Sequence, residues 1–221
     1  MGIYLLDIYR SSNIGIFIKT NDKHLLIPEG MAETKALKLS EYLGVESIHT
    51  SIAGSRLIGS LSVMNNSGIL VSSLAEDQEI KELAKSTGLP VERLPSKYTS
   101  VGNLVVANDK GAIVSSLMPE NIVNIVGDVL DVTVETMTIA SHVQVGSMIV
   151  ATNQGAIIHP SSSEGEVSQV SRALKVDTEP ATINRGIPII ASGLVANSRN
   201  AVAGNLTTGI EIVMMSRSLK V

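Results

Sequence analysis

Ile58-Gly59-Ser60-Leu61-Ser62-Val63-Met64-Asn65-Asn66-Ser67-Gly68-Ile69-Leu70-Val71 decides the fold, because the chain writes this stretch repeatedly. Val101-Gly102-Asn103-Leu104-Val105-Val106-Ala107-Asn108-Asp109-Lys110-Gly111-Ala112-Ile113-Val114 is a second version of it. Val145-Gly146-Ser147-Met148-Ile149-Val150-Ala151-Thr152-Asn153-Gln154-Gly155-Ala156-Ile157-Ile158 is a third. An earlier copy runs from Ile14-Gly15-Ile16-Phe17 through Asn21-Asp22-Lys23-His24 to Ile27, and a weaker one from Ala191 through Asn197 and Asn200 to Ala203. Steps between Gly15, Gly59, Gly102, Gly146 and Ala191 are 44, 43, 44 and 45 residues. A period of roughly 20–50 residues marks one supersecondary unit used several times.

The ends of the chain choose between an open row and a closed ring. The 31 residues from Ala191 to Val221 and the 14 before Gly15 together make one 45-residue unit. An open solenoid needs polar capping units at both ends instead. The spacing therefore predicts repeats at about 15–58, 59–101, 102–145 and 146–190, with 191–221 completed by 1–14, all in a single domain over 1–221. Ile3-Tyr4-Leu5-Leu6-Asp7-Ile8 then stands where Val45-Glu46-Ser47-Ile48 and Val132-Thr133-Val134-Glu135-Thr136 stand in other units. Closure of this kind hides sheet edges that would otherwise template aggregation.

Each unit reads strand, tight turn, strand, helix, strand. The turns are Asn21-Asp22-Lys23-His24, Asn65-Asn66-Ser67-Gly68, Asn108-Asp109-Lys110-Gly111, Thr152-Asn153-Gln154-Gly155 and Asn197-Ser198-Arg199-Asn200. Asn and Gly suggest positive φ at these tips. Residues 76–86 place Ile80, Leu83 and Ala84 on one helical face. Pro119 fits a first helical position ahead of Ile122, Ile125, Val126 and Val129. Ser163-Glu164-Gly165-Glu166 and Thr208-Gly209-Ile210-Glu211 fit capping boxes. The glycine that opens four of the units (Gly15, Gly59, Gly102 and Gly146) suits backbones crowding near an axis. The expected architecture is α+β: five strand-lined blades in pseudo-fivefold symmetry, closed by pairing of the N- and C-terminal segments.

Composition narrows the function. Cysteine is absent from the 221 residues, which removes disulfides, thiolate metal sites and thiol nucleophiles. At this length roughly 70% of the unfolded surface is buried on folding, so no staple is needed. No apolar run approaches the roughly 18 residues of a membrane span, and Met1 opens a strand-like stretch that does not resemble a signal peptide. A cytoplasmic, non-membrane protein is the expectation. The net charge is −4 and aromatic residues make up 2% of the chain. Nucleic-acid binders carry basic stripes and aromatic platforms, so a basic protein partner fits better than extensive RNA contact.

No G-x-S-x-G elbow, phosphate-cradling G-x-x-x-x-G-K-[ST] or H-E-x-x-H is present. His24, His49, His142 and His159 fall at unrelated positions within their units, without ligand spacing, so neither a metal nor another cofactor is expected. His159, before Pro160, reads as a capped or solvated surface residue. Glu76-Asp77-Glu79 and Glu164-Glu166 complement helix N-termini. Segments that break the repeat are more informative: Ser51-Ile52-Ala53-Gly54-Ser55-Arg56, Ser96-Lys97-Tyr98 and Ile183-Asn184-Arg185-Gly186 each place a cation near the start of a unit. Such groups suit hydrogen-bonded recognition of a partner from a rigid rim, and equally suit bridging of adjacent blades.

Four segments together carry a resemblance over essentially the whole chain. They are Ser51 to Gly59, Gly102-Asn103-Leu104, Asn153-Gln154-Gly155 with His159-Pro160, and Ile183 to Gly186, and the chain so read resembles the translation initiation factor 6 family, in its archaeal form. The resemblance implies the pentein fold of five quasi-identical blades. It implies a ribosome anti-association factor that binds the joining face of the free large subunit, keeps the small subunit off, and accompanies large-subunit maturation. Implied partners are basic ribosomal proteins near the sarcin–ricin loop, with minor rRNA contact, and the implied state is a monomer without cofactors. By position it assigns the binding surface to Arg56, Leu57, Ser60, Asn66 and Asn103, to which Asn153, Asn184 and Arg185 are added.

Two other functions remain open to the sequence. Penteins also include guanidine-modifying hydrolases and amidinotransferases, whose covalent step needs the cysteine this chain lacks. A generic assembly scaffold, or a ring threaded by a ligand, is the other; small residues at the unit starts make any channel too narrow for a helix or a duplex.

Overall fold

A computed structural model describes residues 2–221; Met1, read above as the head of a strand, lies outside the described residues. The chain opens with β1 (Gly2–Leu6). A 3-10 turn at Ile14–Ile16 then leads to β2 (Lys19–Thr20), β3 (His24–Pro28), α1 (Glu33–Leu43) and β4 (Glu46–Thr50). The next unit is α2 (Ile58–Leu61), β5 (Ser62–Met64), β6 (Ile69–Val71), α3 (Asp77–Thr87) and β7 (Val91–Arg93). It is followed by α4 (Val101–Leu104), β8 (Val105–Ala107), β9 (Ala112–Ser115), α5 (Glu120–Leu130) and β10 (Val134–Met137). Then come α6 (Val145–Met148), β11 (Ile149–Ala151), β12 (Gly155–Ile158), α7 (Glu164–Leu174) and β13 (Asp177–Pro180). The last stretch is α8 (Ile190–Gly193), β14 (Leu194–Ala196), β15 (Asn200–Gly204) and α9 (Gly209–Leu219).

These strands form five three-stranded sheets, each with an antiparallel hairpin and a parallel outer strand. The fifth is β14–β15–β1, in which Gly2 to Leu6 pair in parallel with Asn200 to Gly204. The N-terminal strand thus completes the C-terminal sheet, as the residue spacing predicts. The strand-turn-strand pattern puts Leu61 in a strand, but each unit opens on a single helical turn. Leu61 is helical, and the strand begins at Ser62. A single turn leaves no helical period for a pattern to show.

The glycines explain why these turns meet. A Cβ on Gly59 would lie 1.9 Å from the Gly15 carbonyl oxygen, one on Gly102 2.0 Å from that of Gly59, and one on Gly146 2.3 Å from that of Gly102. Gly15 stands in the same relation to Ala191, at 2.0 Å, so the first unit leans on the last. No side chain fits within such distances.

The core lies between sheets and the five long helices, each 11 residues in length. α5 buries Ile122, Val126, Val129 and Leu130 against β8, β9 and their neighbours. Each such side chain contributes about 1.5–3 kcal/mol on burial. α3 buries Leu83, with Ile80 and Ala84 partly covered, on the face its spacing predicts. The capping boxes at Ser163/Glu166 and Thr208/Glu211 form, and Glu76/Glu79 makes another. Pro119 is the N-cap of α5 and not its first helical residue, because its ψ of 160° is extended.

The hairpin tips correct the expectation about φ. None of Asn21, Asn65, Asn108 or Asn197 has positive φ. Asn65 instead folds its own turn, its Oδ1 accepting from the N–H groups of Ser67 and Gly68 at 2.9 and 3.1 Å. Its Nδ2 donates to the carbonyl of Leu130, the last residue of α5, at 2.7 Å. Asn108 does the same for Leu174 of α7, and Asn197 for Leu43 of α1. A helix leaves its final carbonyls without partners, and an amide can cap one while its oxygen closes a turn. Gly68, Gly111 and Gly155 are required because a Cβ there would meet the carbonyl of Val129, Ala173 or Ser218 within 2.2 Å.

Candidate functional site

Two ends of one axis hold the residues of interest. At the hairpin end, Asp22, Asn66, Asp109, Asn153 and Ser198 occupy the same place in successive units and form a closed ring. Asp22 donates its N–H to Asn66 Oδ1, Asn66 to Asp109 Oδ1, and Asp109 to Asn153 Oδ1, at 3.1, 2.8 and 2.9 Å. Asn153 donates to Ser198 Oγ at 3.3 Å, and Ser198 to Asp22 Oδ1 at 2.7 Å. Inside the ring, the amides of Asn66 and Asn153 each donate to both Asp22 Oδ2 and Asp109 Oδ2. Burial pushes the Asp22 carboxyl up, but bonds from Ser198, Asn66 and Asn153 outweigh it and hold its pKa below the usual value.

At the other end, loops between the outer strands and the one-turn helices make tight left-handed turns. Their positive-φ residues are Tyr9 and Arg10, Ala53 and Gly54, Ala140 and Ser141, and Asn184 to Gly186. Helix carboxylates hold three of them. Glu79 accepts from Ala53 and Gly54 N–H at 2.7 and 2.9 Å and from Ser51 Oγ at 2.7 Å. Glu166 accepts from Ala140 N–H at 2.7 Å. Glu211 accepts from Arg185 and Gly186 N–H and from Thr182 Oγ1. Burial opposes the charge on Glu211, yet these bonds and those from Thr208 lower its pKa to about 2. The acids read as helix-dipole partners thus also lock the rim loops.

Arg56 and Leu57 follow such a turn and are exposed. The Arg56 guanidinium lies 5.6 Å from the centre of the Tyr9 ring, which belongs to the neighbouring loop. Ser60 and Asn103 sit on α2 and α4, half-buried, at the mouth of an axial cavity. Arg185 is exposed on its left-handed turn. Asn184 is 4% exposed, and its Nδ2 donates to Ser12 O at 2.9 Å, which ties the last loop to the first. Asn66 and Asn153 stand apart at the hairpin ring. Arg56, Leu57, Ser60, Asn103 and Arg185 therefore share one face, with exposed Tyr9, Ile187 and Ile189 among them.

His159 is a correction: it is buried, 7% exposed, because it follows the interior strand β12. Its Nδ1 accepts from Ser161 N–H at 3.1 Å, and its ring lies 5.6 Å from that of His142. Burial first, and then His142, lower its pKa, with Glu166 opposing. No cluster of three metal-ligating side chains occurs among the described residues. Sequence reading missed Asp22, Asp109 and Ser198 as partners of Asn66 and Asn153, although the aligned repeats put all five in one column.

Five three-stranded sheets in pseudo-fivefold array, with a braced loop rim at one end, define a pentein-type α+β protein. The chain belongs to the eIF-6 family, whose family model matches residues 3–218. It is 49% identical over 218 residues to translation initiation factor 6 of Cenarchaeum symbiosum, covering 99% of both chains. Identity to that of Nitrosopumilus maritimus is 52% over 218 residues, and to that of Pyrococcus furiosus 45% over 224, each covering 99% of both chains. Among solved structures, a DDAH from Pseudomonas aeruginosa in complex with citrulline matches with a TM-score of 0.49 at 12% identity, over 78% of this chain and 70% of that one. No helix among the described residues is long and apolar enough to cross a membrane.

Proposed function

We propose that this protein binds the free large ribosomal subunit on its joining face and keeps the small subunit from associating prematurely, with a part in large-subunit maturation. Membership of the translation initiation factor 6 family carries the reading. The rim supports it: Arg56, Leu57, Ser60, Asn103 and Arg185 lie on one face, and the loops ahead of Arg56 and around Arg185 are held by the carboxylates of Glu79 and Glu211. A preorganised surface loses little conformational entropy on docking. Its action is steric, in the cytoplasm, as a monomer without catalysis. With a net charge of −4 the protein suits basic ribosomal proteins near the sarcin–ricin loop, with rRNA a minor contact. Asn66, Asn153 and Asn184 contribute by holding the blades that carry the rim.

Co-sedimentation with purified subunits tests this directly. The protein travels with large and not small subunits and lowers the yield of whole ribosomes; equal binding to both would refute it. Arg56→Glu weakens the association roughly tenfold or more, as expected for a charged interface anchor. Its melting temperature stays close to that of the wild type, since Arg56 is exposed and makes no ion pair among the described residues.

A further inference from the structure

The five blades repeat one inward-facing column: Lys19, Val63, Val106, Val150 and Val195 stand at the same position in successive units, and all five line the axial cavity. That cavity has a volume of about 280 Å³. Its mouth is Ile16, Ser60, Asn103, Ser147 and Ser192, and its floor is the hydrogen-bonded ring of Asp22, Asn66, Asp109, Asn153 and Ser198. Four blades place a valine in the belt; the first places a lysine there.

Packing does not explain this exception. A valine would complete the belt, and an unpaired lysine beside four valines is costly to desolvate. Lys19 has no carboxylate or hydrogen-bond partner among the described residues; its surface is only half-buried because it faces the cavity, and desolvation by the surrounding blades lowers its pKa to about 8. The other ionisable groups on the wall, Asp22 and Asp109, are carboxyls engaged with Asn66 and Asn153 on the floor. A lone cation beside an apolar belt, in a small cavity open at its mouth, is complementary to one anionic head on a short apolar body. Cavities near this size hold small ligands, buried mostly by apolar contact with a few polar anchors.

We infer that the axial cavity is a binding site for a small organic monoanion, a short-chain carboxylate, with Lys19 as its charge anchor and the valine belt as its apolar wall. This inference does not depend on ribosome binding. Ligand occupancy stabilises the folded state in proportion to the logarithm of concentration over Kd.

Sodium butanoate at 50 mM is the probe, with sodium chloride at equal concentration as the reference and thermal melting as the readout. The wild-type protein at pH 7 gains roughly 2–5 °C over the reference, the size expected for a site well above half-filled in a chain of this length. Lys19→Met, which keeps the length and loses the charge, shows no gain. At pH 9.5, where Lys19 is largely neutral, most of the wild-type gain is lost. No gain at pH 7, an equal gain in Lys19→Met, or a gain that persists undiminished at pH 9.5 would each overturn the assignment. Should Lys19→Met fail to fold, the pH comparison on the wild-type protein decides alone.

Discussion

Ser198 donates its backbone N–H to the carboxylate of Asp22 at 2.7 Å across 176 residues of sequence. That bond closes a cycle in which every hairpin tip holds the next, so the last unit holds the first. The pairing of β1 with β15 closes the same seam from the outer edge.

Asp22 is the most connected member of that cycle, since its two oxygens serve Ser198, Asn66 and Asn153. Removing this half-buried partner leaves several donors unsatisfied, at the low end of about 1–3 kcal/mol each because water reaches part of the site. Asp22→Ala is therefore expected to lower the melting temperature by roughly 6–12 °C, at about 2–4 °C per kcal/mol for this size. Lys23→Ala, one residue on and exposed, should shift it by no more than about 1 °C. Equal shifts in calorimetry would show that the ring holds nothing.

Gly59→Ala puts a methyl 1.9 Å from the Gly15 carbonyl, and backbone must move to admit it. A loss above about 3 kcal/mol, or insoluble protein, is expected. Gly209→Ala is the contrast, because no atom lies within 4 Å of the new methyl at the start of α9. It should gain about 0.5–1 kcal/mol in urea unfolding.

Acid should destabilise the fold. Asp22, Glu79, Glu166 and Glu211 all have folded pKa values below the ordinary carboxylate range, the hydrogen bonds to each outweighing the cost of burial. The unfolded chain then binds more protons as pH drops, so their stabilisation is complete above the ordinary range and lost on the way down. His159, lowered from 6.5 by burial and His142, acts in the same direction and begins to cost stability near that pH. Urea midpoints should fall slightly from pH 7 to 5 and steeply below about 4.5. Glu211→Gln should flatten the steep part, and a midpoint that rises on acidification would contradict the assignment.

Deleting residues 1–10 removes β1, the Tyr4–Tyr42 stack at 4.1 Å and the ion pair of Asp7 with Lys35. The edge of β15 is then bare. A lower melting temperature and concentration-dependent association are expected by calorimetry and light scattering. A truncated protein that stays monomeric with the full-length melting temperature would mean that the seam carries no load.

Much of the site was half legible. Arg56 and Arg185 stand out because their loops interrupt the repeat, and both lie exposed on one face. Asn66 and Asn153 were visible as polar residues at turns, but their partners lie 44 and up to 131 residues away. The same distance hid the second duty of Glu79 and Glu211, whose capping-box spacing is local while their bonds to Gly54 and Gly186 are not. The one-turn helices escaped because four residues hold no period.

Repetition by itself determined five like units and a chain whose ends share one of them, since spacing and turn chemistry are properties of neighbours along the backbone. Only the tertiary structure decided that the aligned column Asp22, Asn66, Asp109, Asn153 and Ser198 is a ring, and that Lys19 faces four valines. The reason is geometric. Hydrogen bonds and burial depend on what the other blades bring to the axis, and a linear pattern records which residues are equivalent without recording that they meet.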